Sequence, residues 1–170
     1  MATYYINADT GNDSTGDGSI GSPWLLLSYA HGQATTGDTI ICQDSAASYT
    51  FVNQSFTKNL TIQGEQNDAS GAVFDALTGN VIWTISTADT TVNISKITMQ
   101  NGYSSGNGLF TLGSNAKSSI FNIDLVKVLN WRLNGQTSVS GDYALFFSRA
   151  GFTAGLEGEF NVTNSIFDIY

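Results

Sequence analysis

One spacing of apolar residues recurs along the 170-residue chain and limits the folds that it can adopt. In Val92-x-Ile94-x-x-Ile97-x-Met99, two apolar residues alternate, the phase slips by one residue, and two more alternate. The same spacing returns over residues 121–128, more loosely over 160–169, and in a shorter copy over 60–64. Alternation places side chains on one face of a strand, so the slip indicates a bend after which a second strand points inward again.

A coil of short parallel strands around a common core needs such repeated bends, whereas a hairpin sheet does not. Short β-branched and aromatic segments between Gly, Asn, Asp and Ser predict strands from end to end. These segments are 3–7, 38–42, 49–52, 59–64, 72–75, 80–86, 91–100, 108–112, 119–129, 143–148 and 159–170. We predict an all-β single domain over residues 1–170, with about six coils of roughly 22 to 28 residues. A β-sandwich is the alternative.

The segment before the second predicted strand has a helix pattern. Ser22 and Pro23 suit an N-cap and a first helical position, and Gly32 suits the end, which predicts a short helix around residues 23–31. Its apolar face would contain Leu26, Leu27 and Ala30. Such a helix would cover the open end of a strand coil, where unpaired edges otherwise invite aggregation.

The first quarter of the chain resembles the N-terminal capping segment of right-handed parallel β-helix proteins of the pectate-lyase-like superfamily. The resemblance is carried by Tyr4-Tyr5-Ile6, Gly11-Asn12-Asp13-Ser14, Ser22-Pro23-Trp24, Ala30 and Gly37-Asp38-Thr39-Ile40. It implies a short right-handed parallel β-helix, with strand, loop and capping helix over 1–42 and coils over 43–170. Polysaccharide lyases, glycoside hydrolases, phage tailspikes and other virion proteins share this fold, so the resemblance is more specific for fold than for function.

The charge of the chain argues against two classes of partner. The net charge is −8, and only six Lys and Arg residues are present. Because nucleic acids and anionic membranes attract basic surfaces, we predict neither as a partner. The sequence also lacks a signal-peptide pattern at its start and any apolar run of the roughly 20 residues that a spanning helix needs. We therefore expect synthesis in a cytoplasm.

A lyase of this superfamily is expected to have Ca²⁺-binding carboxylates and an Arg or Lys base. Asp124, Lys127 and Arg132 lie close together in the sequence, with Arg149 further on. Asp124 and Lys127 flank inward positions of one repeat, and we interpret them as solvated outward residues.

Glycoside hydrolysis needs two carboxylates roughly 5 to 10 Å apart. The acidic residues form no recognisable motif for it, and Asp75, Asp142 and Asp168 are isolated in strands or at turns.

The other candidate residues are predicted to have structural roles. The loop from Asp9 to Asp17 is rich in oxygen ligands for Ca²⁺, but it lacks the EF-hand spacing and predicts a series of Asx turns. His31, the single histidine, is expected to pair with carbonyls at the helix end, and the single Cys42 to fill the core. Trp131 and Tyr103 are candidates for stacking on sugars, although core positions suit them better.

The sequence favours an assembly protein over an enzyme. We assign no catalytic, cofactor-binding or metal-binding residue. Residues 159–170 have a strand pattern with no apolar lid after it, so we expect this end to meet a partner. The leading hypothesis is a phage virion protein, either a capsid decoration (cement) protein or a spike or fibre module. It would form a homo-oligomer, with a trimer favoured, and dock on a capsid or tail protein. A carbohydrate-active or glycan-binding module, including an adhesin, is the alternative, with an extracellular or cell-surface location.

Overall fold

The computed structural model describes residues 1–104, 108–133, 147–149 and 158–169. These residues form one helix, α1 (Leu27–Gln33), and sixteen strands. The strands are β1 (Thr3–Ile6), β2 (Asp38–Cys42), β3 (Tyr49–Thr50), β4 (Gln54–Phe56), β5 (Leu60–Gly64), β6 (Ala72–Asp75), β7 (Trp83–Ile85), β8 (Thr91–Ser95), β9 (Ile97–Gln100), β10 (Tyr103–Ser104), β11 (Phe110–Leu112), β12 (Ile120–Asp124), β13 (Lys127–Leu133), β14 (Phe147–Arg149), β15 (Glu159–Thr163) and β16 (Ile166–Ile169).

The strands form three sheets in which every pairing is parallel. The first sheet has the order β1-β2-β5-β8-β12-β15, and the third has the order β14-β11-β7-β4. The second has the order β10-β13-β9-β6-β3, with β16 also paired to β13. From β2 to β16 the chain visits the first, second and third sheets in rotation, with both β9 and β10 in the second, and one such round is called a rung below. The prediction of a mostly β protein is confirmed. The parallel pairing argues against the β-sandwich, whose sheets are antiparallel.

The slip in the apolar spacing corresponds to one residue with left-handed backbone. Lys96, between β8 and β9, has a φ of 59°, and Leu125, between β12 and β13, has a φ of 52°. Asn164 makes the same bend between β15 and β16 with a φ of 47°. Each residue turns the chain from the first sheet into the second, so the predicted bend is confirmed.

The apolar repeats are aligned between neighbouring strands. Phe121 lies beside Val92 and Ile123 beside Ile94, and all four side chains are buried. Paired positions are 22 residues apart in β2 and β5, 32 apart in β5 and β8, 29 apart in β8 and β12 and 39 apart in β12 and β15. Three of these separations exceed the predicted 22 to 28, because the connections between strands contain extra residues.

The interior is centred on a fully buried tryptophan, Trp83. Its ring meets Phe51, Phe56 and Phe74 edge-to-face, with centroids 5.3, 5.5 and 5.8 Å away. Trp83 Nε1 donates a hydrogen bond to Val52 O at 3.3 Å, so the polar end of the ring is paired. Edge-to-face contacts add to the free energy gained by burying the rings, because ring edges and faces carry opposite partial charges.

The predicted start of the helix is wrong. Ser22 and Pro23 precede an extended segment in which Trp24 N donates to Tyr5 O at 3.0 Å and Asn7 N donates to Trp24 O at 2.9 Å. Trp24 therefore continues the backbone pairing of β1, and the helix begins at Leu27 instead of residue 23. Pairing with a distant strand has outweighed the local capping pattern.

The buried face of α1 also differs from the prediction. Leu27, Ala30 and Ala34 pack into the core, whereas Leu26 is 38% exposed. Leu26 is the N-cap residue, and its side chain makes no capping hydrogen bond. Its backbone N–H instead donates a hydrogen bond to Asp13 Oδ1, with the two heavy atoms 3.2 Å apart. Within the described residues, no helix has both the length and the apolar character needed to cross a membrane.

Candidate functional site

An open polar pocket lies between the loop after β1 and the connections after β2 and β5. It has a volume of about 380 Å³. Its lining residues are Asp9, Asp44, Ser45, Ala46, Gln66, Ser70, Gly71 and Val73. We call it the Asp44 pocket.

The Asp44 carboxylate has one oxygen paired and one unpaired. Oδ2 accepts a hydrogen bond from Gln66 Nε2, whereas Oδ1 is buried without a hydrogen-bond partner. The Asp9 carboxylate is held by the segment after Asp44, because it accepts the backbone N–H groups of Ala46 at 2.6 Å and Ala47 at 3.0 Å. A side chain at Gly71 would collide with the Asp44 carboxylate. The lining of the pocket is mostly polar, and the carboxylate oxygens of Asp9 and Asp44 are either hydrogen-bonded within the protein or buried. In the part of the chain that the structure describes, no group of three or more His, Cys, Asp or Glu could hold a metal ion.

The loop from Asp9 to Asp17 uses its oxygens within the protein. Side-chain oxygens of Asn7, Asn12 and Asp17 accept hydrogen bonds from backbone N–H groups two or three residues ahead, at 2.8 to 3.0 Å. These contacts agree with the predicted series of Asx turns.

The outermost rung exposes apolar side chains at the edge of two sheets. β15 is the last strand of the first sheet, and β16 lies beside β13 in the second. Val162 is 39% exposed and Ile166 is 55% exposed, while Phe160 and Phe167 are partly buried against the core. We call these four residues and their strands the terminal edge. An edge of this kind offers both backbone hydrogen bonds and apolar surface to another chain.

Polar side chains fasten the terminal edge to the preceding rung. Asp124 Oδ1 accepts hydrogen bonds from Thr163 Oγ1 at 2.7 Å and from Asn164 Nδ2 at 2.9 Å. These hydrogen bonds lower the pKa of the Asp124 carboxyl, and the one from Thr163 has the largest effect. On the same face, Asn161 Nδ2 donates to Asn122 Oδ1 at 3.0 Å. Asp124 therefore has a structural role in holding β15 and β16 on β12.

The residues considered for a lyase site are distributed over the three sheets. Asp124 lies in the first sheet, Lys127 and Arg132 lie in the second, and Arg149 lies in the third. The backbone thus does not bring the four residues together on one sheet.

The isolated carboxylates also have local partners or lie apart. Asp75 accepts hydrogen bonds from Leu77 N, Gln100 Nε2 and Asn101 Nδ2 at 2.8 to 2.9 Å. Burial raises the pKa of Asp75, but these hydrogen bonds outweigh it and the pKa is lowered. Asp168 is exposed on β16, and Asp142 lies outside the described residues.

Two unusual side chains belong to the core. Cys42 is fully buried, and burial raises the pKa of its thiol, so it is held as a neutral, small apolar group. Trp131 is also fully buried, 6.0 Å from Phe51 between ring centroids, and is not available for stacking on a sugar. Tyr103 is partly buried and its backbone N–H donates to Gly79 O at 3.1 Å.

The predicted pairing of His31 with carbonyls at the helix end is wrong. Lys58 takes that role: its Nζ donates to His31 O at 2.9 Å and to Ala34 O at 2.8 Å. The His31 ring instead packs edge-to-face on Phe56 at 5.7 Å, and its Nε2 is buried without a hydrogen-bond partner. Lys58 lies 27 residues beyond His31, so no local sequence signal connects them.

No family model matches the chain, and no curated protein or solved structure is significantly similar to it.

Proposed function

We propose that the chain is a short right-handed parallel β-helix that serves as a non-enzymatic structural protein of a virus particle. In this proposal it is a phage capsid decoration (cement) protein or a spike or fibre module. It self-associates, most naturally as a trimer around a threefold axis, and docks on a capsid or tail protein. It is made in the host cytoplasm and resides in the virion.

The β-helix part of the proposal is supported by the order in which the chain visits the three parallel sheets. The crossover connection between two parallel strands of one sheet is right-handed in nearly all proteins, because the twist of the strands favours that hand. The one-residue bends at Lys96, Leu125 and Asn164 recur at the same place in their rungs, as a regular coil requires.

The assembly part of the proposal is supported chiefly by the terminal edge. At the opposite end of the sheets, α1 packs Leu27 and Ala30 into the core, so that end is covered. The terminal edge instead exposes Val162 and Ile166 beside the outermost strand of the first sheet. Ile166 lies beside Lys127 of β13, one position before the inward-packed Phe167, and is therefore suited to contact another molecule.

Analytical ultracentrifugation of matched variants tests the assembly proposal. We expect wild-type protein to sediment as an oligomer and Ile166→Asp to sediment as a monomer, because a charge in an apolar interface is strongly unfavourable. Leu77→Asp is the control, since Leu77 is 76% exposed in a turn far along the chain from β16. Circular dichroism shows whether each variant is folded. A monomeric wild type, or equal dissociation of both variants, would contradict the proposal.

A glycan-binding or carbohydrate-active module is a second candidate, favoured by the Asp44 pocket. Its open shape and mostly polar lining suit the hydroxyl groups of a sugar. Binding of a panel of neutral and acidic polysaccharides, measured by calorimetry, tests it with Asp44→Asn as the variant. The exposed Asp89→Asn is the control. Binding lost only in Asp44→Asn supports this candidate, and polysaccharide cleavage by the wild type would overturn the non-enzymatic proposal.

A further inference from the structure

The last turn of α1 is fastened to the β4–β5 connection by one ammonium group. Lys58 Nζ donates to the backbone carbonyls of His31 and Ala34 at 2.9 and 2.8 Å. Carbonyls at a helix C-terminus have no later helical N–H to accept from, and the helix dipole favours a cation there. Contact between the end of α1 and the neighbouring strand thus depends strongly on Lys58.

The His31 side chain is partly buried, and the surroundings of its Nε2 favour the neutral form. Its ring packs on the fully buried Phe56, and its Nε2 is buried without a hydrogen-bond partner. Burial has the largest lowering effect on the pKa of His31, and the positive charge of Lys58 lowers it further. An imidazolium at this place would have an unpaired buried N–H and a second positive charge beside Lys58.

The charged groups around α1 do not compensate a positive charge on His31. From the β4–β5 side, the positive charge of Lys58 acts against protonation of His31. At the start of β2, the Asp38 carboxylate is engaged by Ala2 N at 2.6 Å and by Thr35 N at 2.8 Å. Among the described residues, burial and Lys58 are the influences that act on the His31 pKa.

We propose that His31 and Lys58 form an acid-sensitive latch, which holds the C-terminal turn of α1 on β4 at neutral pH and releases it on mild acidification. Release would uncover Phe56, which packs 5.5 Å from the central Trp83. Proton linkage gives the direction in which pH changes the stability of the latch. The closed latch binds fewer protons than the open one, so it is fully stable above about pH 6.5 and weakens as the pH falls below that value. This latch is independent of the proposed assembly role.

Hydrogen exchange on the intact chain, from about pH 7.5 to about pH 5 and corrected for intrinsic rates, tests the latch. The reporters are the N–H groups of Ala30 and Ala34, which donate to Leu26 O and Ala30 O in the closed state. We expect their protection to fall by up to about tenfold per pH unit below about pH 6.5, because one proton is taken up on opening. Protection in β8 should stay unchanged over the same range.

Two variants separate the latch from a general loss of stability. His31→Phe keeps a ring on Phe56 but has no titratable group, so its helix protection should not depend on pH. Lys58→Met should lower helix protection at every pH, because it removes both hydrogen bonds to the helix end. If His31→Phe does not fold, His31→Gln replaces it with the same expectation. The proposal is overturned if the wild type and the His31 variant share one pH profile, or if β8 loses protection together with α1.

Discussion

Asp38→Asn tests how strongly one buried carboxylate joins the N-terminal strand to the end of α1. Asp38 is 3% exposed and accepts hydrogen bonds from Ala2 N at 2.6 Å and from both Thr35 N and Thr35 Oγ1 at 2.8 Å. These hydrogen bonds lower the pKa of the Asp38 carboxyl, and the one from Ala2 has the largest effect. The ionised form is therefore the form that stabilises the fold.

The size of the effect follows from the donors that an asparagine leaves unpaired. If the remaining oxygen of asparagine accepts from Ala2, its NH₂ group opposes the partly buried Thr35 N, and the loss of a hydrogen bond to a charged group costs about 1.5–3 kcal/mol. The surviving hydrogen bond also loses its charge, and charge-assisted bonds are about twice as strong as neutral ones. We expect the free energy of unfolding to fall by about 2–4 kcal/mol at neutral pH.

Urea unfolding followed by tryptophan fluorescence measures this difference. Asp89→Asn is the control, because Asp89 is exposed at a φ of 54° that asparagine tolerates, and its effect should stay within about 0.5 kcal/mol. Since the folded-state pKa of Asp38 is lowered, its contribution is present above about pH 3.9 and is lost as the pH falls through the folded-state pKa. The difference in the free energy of unfolding between wild type and Asp38→Asn should therefore become smaller in acid. A difference in the free energy of unfolding under about 1 kcal/mol at neutral pH, or one that does not change in acid, would contradict this role of Asp38.

Two further predictions concern packing and the asparagine contacts on the first sheet. Gly102→Ala places a Cβ against the Trp131 ring and should lower the free energy of unfolding by about 1–3 kcal/mol, whereas Gly32→Ala, in open space on α1, should raise it by about 0.5–1 kcal/mol. Chemical denaturation compares the two, and a loss of similar size in both would contradict the packing argument. Asn122→Ala removes the contacts with Asn93 and Asn161 and should lower the free energy of unfolding by about 1 kcal/mol. Hydrogen exchange should become faster in β15, and unchanged exchange there would show that these amides do not hold the strand.

The repeated strands were predictable because alternation in the sequence reflects which side chains are buried. The pairs Val92–Phe121 and Ile94–Ile123, read from spacing alone, lie side by side in β8 and β12. The bends between sheets were predictable in position but not in residue type. Leu125 has left-handed backbone without being Gly or Asn, because the sheets on both sides fix its conformation.

The contacts that involve distant residues could not be predicted. Ser22 and Pro23 have the local pattern of a helix start, but Trp24 pairs with β1, and this tertiary contact decides where α1 begins. The same holds for Lys58 at the end of α1 and for Asp44 in its pocket. Their hydrogen-bond partners lie 21 to 27 positions away in the sequence, and no periodicity in the sequence connects such pairs.

The unequal separations between paired strands have a consequence for how the chain can change in length. Positions 22 residues apart in β2 and β5 and positions 32 residues apart in β5 and β8 form the same kind of parallel pair in the first sheet. Most of the additional residues between β5 and β8 lie in connections outside the strands, where closing a longer loop costs only about 0.6 kcal/mol for each doubling. Insertions and deletions in these connections therefore leave the alignment of the buried side chains intact, and new surface loops can be added without redesign of the core.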